Sequence, residues 1–194
     1  MTLKLNGSSS GSVSIDAPAS TTGGADRVIT LPDRNQTGLG CILQVKQGTP
    51  LTSKFSTASA TMVDSGLSVA ITPTATTSKI LVQVSLGSLA NSSAGKRVWM
   101  DIVRSSTTVI KGDAATGGEV TACLCTRSAD SNHTQVPVSF MYLDSPATTS
   151  ATTYKVQLAA GPDSGGTVYL NGSADGDASS GNTASTLIVM EVAA

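Results

Sequence analysis

From residue 41 onward, apolar side chains recur at every second position in runs of strand length, the pattern of a β-strand with one face buried. In SKILVQVSLG, Ile80, Val82, Val84 and Leu86 share a face. In RVWMDIVR, Val98, Met100 and Ile102 face one way, Trp99 and Asp101 the other. VPVSFMYL groups Val136, Val138, Phe140 and Tyr142, and TYKVQLA groups Tyr154, Val156 and Leu158. The last run, STLIVMEV, sets Leu187, Val189 and Glu191 against Ile188, Met190 and Val192. Weaker runs at 41–47, 67–72, 107–111, 119–126 and 166–171 bring the expected total to about ten strands, the number of a sandwich or jelly roll. No segment carries a helical period. The pattern predicts an all-β, antiparallel, jelly-roll-like sandwich.

Gly, Asn, Asp and Pro punctuate these runs at 72–79, 91–96, 112–118, 161–166 and 171–182, supplying the dihedrals that turns require. The segment FMYLDSPATTSATTYKVQLAA, residues 140–160, joins two alternating runs through small hydroxyl residues. Pro146 there ends a strand because it has no amide to donate, and the Ser and Thr that follow read as a structural link.

Residues 1–40 have another texture. Short alternations, LKL at 3–5, SVSI at 12–15 and RVITLP at 27–32, are separated by Gly and Ser clusters. They predict an extended, strand-containing N-terminal arm over 1–40, followed by one sandwich domain over 41–194.

Composition narrows the function. Only 13% of the 194 residues are charged and the net charge is -1, so the chain has no electrostatic footprint for nucleic acid or an anionic membrane. Aromatic residues make up 3%, and a chain so poor in large anchors often completes its core by oligomerising. The start, MTLKLNGSSSGS, has no apolar run of signal-peptide length, and no stretch approaches the ~20 apolar residues that span a bilayer. Synthesis in the cytoplasm and no membrane insertion are the expectations.

Candidate chemistry is sparse. Cys41, Cys123 and Cys125 make an odd number, and the C-x-C pair, whose members share one face of a strand, reads as small buried hydrophobes with free thiols. His133 is the only histidine, in the polar run SADSNHTQ, and reads as a surface-loop residue in place of a general base. Asp163, Asp175 and Asp177 could pair as glycosidase carboxylates, but in Gly-rich loops they read as turn formers. Asp175, Asp177 and Asn182 offer hard oxygen donors of the kind calcium takes, without the full loop spacing. Asn6, Asn91, Asn132 and Asn171 fall in N-x-S/T patterns that a Ser/Thr-rich chain produces by chance. Trp99 and Tyr169 are the rings to test for glycan stacking, each placed in a strand where core or subunit contact is the simpler role. No catalytic, cofactor or metal residue is assigned, and no enzyme activity or cofactor is expected.

The succession ILQVKQ (42–47), VDSGLSVAITPTATTSKILVQVSL (63–86), WMDIVRSSTTVI (99–110), FMYLDSPATTSATTYKVQLAA (140–160), VYLNG (168–172) and STLIVMEV (185–192) resembles the C-terminal domain of fibre-type structural proteins of bacteriophages, especially those of marine bacteria and cyanobacteria. The resemblance covers residues 41–194. The arm, LKLNGSSSGSVSIDAPASTTGGADRVITLP, is similar to a segment that often precedes such domains in phage tail fibres. It implies a non-enzymatic virion structural protein, a homotrimeric short fibre or adhesin carried on the particle surface. Residues 1–40 would meet phage capsid or tail proteins, and distal loops a host glycan or receptor. Tail fibres commonly have a long shaft, whereas residue 40 runs almost straight into the domain. Two alternatives therefore stand beside the fibre: a capsid decoration (cement) protein whose arm adds strands to shell subunits, and a glycan-binding or glycan-degrading protein.

Overall fold

The computed structural model describes residues 2–6, 12–16, 42–110, 112, 122–127, 134–161, 165–174 and 181–193. The chain divides into two compact units, Met1–Thr37 and Gly38–Ala194. In the first, β1 (Thr2–Asn6) and β2 (Ser12–Asp16) form an antiparallel hairpin, with Thr2 opposite Asp16 and Asn6 opposite Ser12.

The second unit is built around the strand with the longest alternation. β6 (Lys79–Asn91) buries Ile80, Val82, Val84, Leu86 and Leu89. Along one side it pairs with β10 (Val136–Asp144). Along the other it pairs first with β13 (Thr186–Val192) and then with β12 (Val168–Leu170). β3 (Ile42–Gln47) continues the sheet beyond β13, and β4 (Phe55–Thr57) beyond β12. The second sheet runs β5 (Val63–Ile71), β11 (Thr152–Ala159), β7 (Arg97–Arg104), with β8 (Thr107–Thr108) and β9 (Leu124–Arg127) both on β7. Every pairing is antiparallel, and the described residues contain no helix. The all-β sandwich expected from the alternation is the fold observed.

Leu67, Val69 and Ile71 of β5, Met100 and Ile102 of β7 and Val156 and Leu158 of β11 face the β6 row across the core. At about 25 cal/mol per Å² of apolar area removed from water, this interdigitated layer is the main source of stability. Gly48 marks how closely the sheets approach: a Cβ there would run into the Ser68 carbonyl oxygen of β5, so only glycine fits. Opposite Lys155 and Gln157, β5 bulges at Gly66, which takes a φ of 84°. The Asp64 carboxylate accepts from the Gly66 amide (2.9 Å) and from Lys155 Nζ (2.9 Å), and fixes the bulge. Burial works against the Asp64 charge, but these donors hold its carboxyl below the ordinary range.

The link after β10 runs as the Pro146 argument expects. β10 stops at Asp144, β11 starts at Thr152, and between them the Ser150 amide donates to Thr148 Oγ1 at 3.0 Å. One strand, β4, lies outside the alternation read from the sequence.

Candidate functional site

Four buried polar groups are the first places to look for chemistry, and each is engaged in holding the fold. Glu191 is on the core face of β13, with no exposed surface. Its Oε1 accepts from the Thr74 amide (2.7 Å) and hydroxyl (2.6 Å), and its Oε2 from Gln44 Nε2 (2.6 Å). Burial would raise this carboxyl, but the bonds from Thr74, Gln44 and Ser78 outweigh it and bring it down to about 2. Asp144 Oδ2 accepts from Tyr154 Oη (2.7 Å) and Arg104 Nη1 (2.7 Å), bracing the end of β10 against the second sheet. Burial and Asp144 both push the Tyr154 phenol above its ordinary range.

Asp101, 3% exposed, accepts from the Cys123 amide (2.9 Å) and Thr108 Oγ1 (3.2 Å). Asn171, 0% exposed and with a φ of 63°, donates to the Leu51 carbonyl (2.7 Å) and accepts from Ser185 Oγ (2.6 Å). Its amide also donates to the Ser88 carbonyl (3.0 Å), so one side chain and its backbone join three separate stretches of chain. The start of the 171–182 run is therefore a buried joint, more than a connector.

The residues singled out by sequence are scattered. Cys123 is half-buried and Cys125 exposed, both free of disulfides; the exposure of Cys125 departs from the buried-hydrophobe expectation, because it lies opposite Trp99 on the face of the second sheet away from the core. Burial, and then the Asp101 charge, push the Cys123 thiol up to about 12. Trp99 is half-buried in β7, and Tyr169 is half-buried in β12 with Lys54 Nζ 5.4 Å from its ring centre. Asn91 is buried, its side chain donating to the Arg97 carbonyl at 3.0 Å. Asn182 is described, but Cys41, Asn132, His133, Asp163, Asp175 and Asp177 lie outside the described residues, as do the run 27–32 and most of the loop 112–118. Among the described residues, no three His, Cys, Asp or Glu side chains gather in a way that could hold a metal ion. No helix of the structure is long and apolar enough to cross a membrane.

What the structure brings together is an apolar surface. The exposed large hydrophobic residues among the described ones are Ile42, Leu43, Val45, Met141 and Leu143, and all sit on β3 or β10. Both strands belong to the β6 sheet, each paired on one side only among the described residues. Directly opposed residues share a face of a sheet, so the pairings Leu143 to Leu81, Leu81 to Met190 and Met190 to Val45 make one apolar row from edge to edge on the outer face. Beside it runs Met141, Gln83, Ile188 and Gln47. Val192 and Ile42 extend the patch at the far end of β13. Val45 is 56% exposed and Met141 60%. Five such side chains, each about half exposed, present roughly 400 Å² of apolar surface, a size that is often functional where it occurs on a monomer.

The sequence carried a signal for this surface. VSFMYL is apolar at successive positions, so both faces of β10 are apolar: Phe140 packs against the core while Met141 and Leu143 point outward.

No family model matches the chain, and no curated protein does. Among solved structures it is similar to T=1 particles derived from infectious bursal virus, with 15% identity and a TM-score of 0.40 over 98% of this chain and 44% of the other. It is also similar to infectious bursal disease virus strain Gt, at 15% identity and a TM-score of 0.38 over 98% and 46%. A third likeness is to the VP2 subviral particle of infectious bursal disease virus, at 14% and 0.36 over 87% and 42%. The chain spans less than half the length of each of these chains.

Proposed function

We propose that this chain is a non-enzymatic structural protein of a phage particle that assembles with copies of itself, as a homotrimeric short fibre or adhesin mounted through residues 1–40. The observation that carries the reading is the apolar outer face of the β6 sheet, open at both edges among the described residues, where Val45, Met141 and Leu143 stay in water unless another surface covers them. The buried carboxylates point the same way. Glu191 and Asp144 are held by donors that brace the sandwich. The order of segments from 42 to 192 and its resemblance to phage fibre domains supply the biological setting.

A decoration protein on the capsid shell is the second reading. The hairpin β1–β2 favours it, since a two-stranded ribbon can add to an exposed strand of a shell subunit. Quantitative peptide mass spectrometry of purified particles separates the two. A low copy number fixed per tail or vertex supports the fibre, and a copy number comparable to the major capsid protein supports decoration. Absence from washed particles rules out both.

A further inference from the structure

We infer that copies of this chain join by adding the β3 edge of one to the β10 edge of the next, a head-to-tail contact that continues the β6 sheet between subunits. The inference rests on the self-assembly reading above and specifies its interface. Its first support is strand direction. β3 is antiparallel to β13, and β13 and β10 are both antiparallel to β6, so β3 and β10 run opposite ways within the sheet. A neighbouring copy in the same orientation therefore offers its β10 antiparallel to β3, and the alternation of strands continues without a break.

Face parity is the second support. Val45 and Ile42 lie on the outer face at one edge, Met141 and Leu143 on the outer face at the other, so joining the edges brings these apolar side chains side by side. On the inner face, Lys46 lies opposite Val189, and Tyr142 opposite Val82. At the junction the Lys46 ammonium comes within reach of the Tyr142 ring, a cation on an aromatic face.

Third, the pairing groups are present. β3 contains no proline, and the one proline of β10, Pro137, sits at the register shift near its start, leaving the alternate amides of 138–143 that point away from β6 able to donate. A six-residue edge is about 20 Å long, and the contact covers the exposed apolar side chains of Ile42, Val45, Met141 and Leu143 beside it.

Symmetric pairings cover less. A two-fold contact of β3 with β3 places two Lys46 side chains on one short ribbon and leaves Met141 and Leu143 in water. A two-fold contact of β10 with β10 leaves Ile42, Leu43 and Val45 uncovered. Only the β3-to-β10 contact covers both edges with one interface, and repeated with a 120° rotation between copies it closes into the trimer proposed above.

The test uses two full-length variants, Val45→Lys and Met141→Lys, at positions exposed enough to leave the fold intact, which far-ultraviolet circular dichroism checks. Each spoils one edge and keeps the other. Native mass spectrometry of each variant alone is expected to show loss of the wild-type oligomer, and a one-to-one mixture to gain a species of twice the chain mass containing both variants. Retention of the wild-type oligomer by either variant alone overturns the β3-to-β10 contact while leaving self-assembly standing. A mixture that stays monomeric also overturns it. A monomeric wild-type chain sinks this contact and the self-assembly reading together, without bearing on whether the chain is present in particles.

Discussion

Thr74 closes over Glu191: its amide and its hydroxyl both donate to the same carboxylate oxygen, at 2.7 and 2.6 Å. A carboxylate with no exposed surface is stable in the core only because such donors, with Gln44 and Ser78, replace its water.

The first expectation is a pH dependence. The folded Glu191 titrates at about 2 against an ordinary 4.5, a depression, so the stability it contributes is present above the unfolded value and lost as pH falls toward the folded one. Glu191→Gln should lower Tm clearly at pH 7, with the gap from wild type closing below about pH 3. Melting curves from pH 7 to pH 2 check this, and a pH-independent gap contradicts it.

Asn171→Ala should be among the most destabilising single changes, by about 2–4 kcal/mol, because it removes one of the two donors to the Leu51 carbonyl, leaves the buried Ser185 hydroxyl without its acceptor and puts alanine at positive φ. Asn171→Gly relieves only the backbone part and should recover about 1 kcal/mol of the loss. Chemical denaturation of the pair measures both terms. Equal stability of the two variants would mean the φ of 63° carries no strain.

Tyr154→Phe removes one donor from Asp144 and keeps Arg104, an expected loss of about 1–2 kcal/mol. Its folded pKa is raised, so its contribution is whole below the unfolded value and is lost as pH rises beyond it. In an alkaline ultraviolet titration Tyr154 should ionise only as the protein unfolds. A phenol that titrates with the ordinary Tyr value in the folded wild type and is missing from the titration of Tyr154→Phe contradicts the bond.

These side chains also show how much the sequence discloses. The period-2 runs place Ile80, Val82, Val84, Leu86, Met100, Ile102, Val156 and Leu158 on core faces, as found, because burying one face of a strand leaves a local trace. The same parity places Glu191 with Leu187 and Val189. What makes its burial tolerable lies far away at Gln44 and Thr74, and period carries no information about such partners. Asn171 reads as a turn residue for the same reason, its partners being Leu51 and Ser185. β4 has only Phe55 as a large apolar residue and becomes a strand through its pairing with β12. The edge positions of β3 and β10 depend on strand order, which alternation leaves open.

Removing residues 1–39 should leave a folded, self-associated β-sandwich that no longer binds particles. Co-sedimentation of the truncated protein with particles lacking it, beside the full chain, reads this out. Unfolding of the truncated protein would make the arm part of the sandwich's stability, against the two-part organisation.

Light scattering coupled to size-exclusion chromatography of the full chain tests self-assembly most directly. The apolar rows ending at Val45 and Leu143 require a mass of at least twice 19.4 kDa, three times for the proposed trimer. A single species at 19.4 kDa across the accessible concentrations would contradict it.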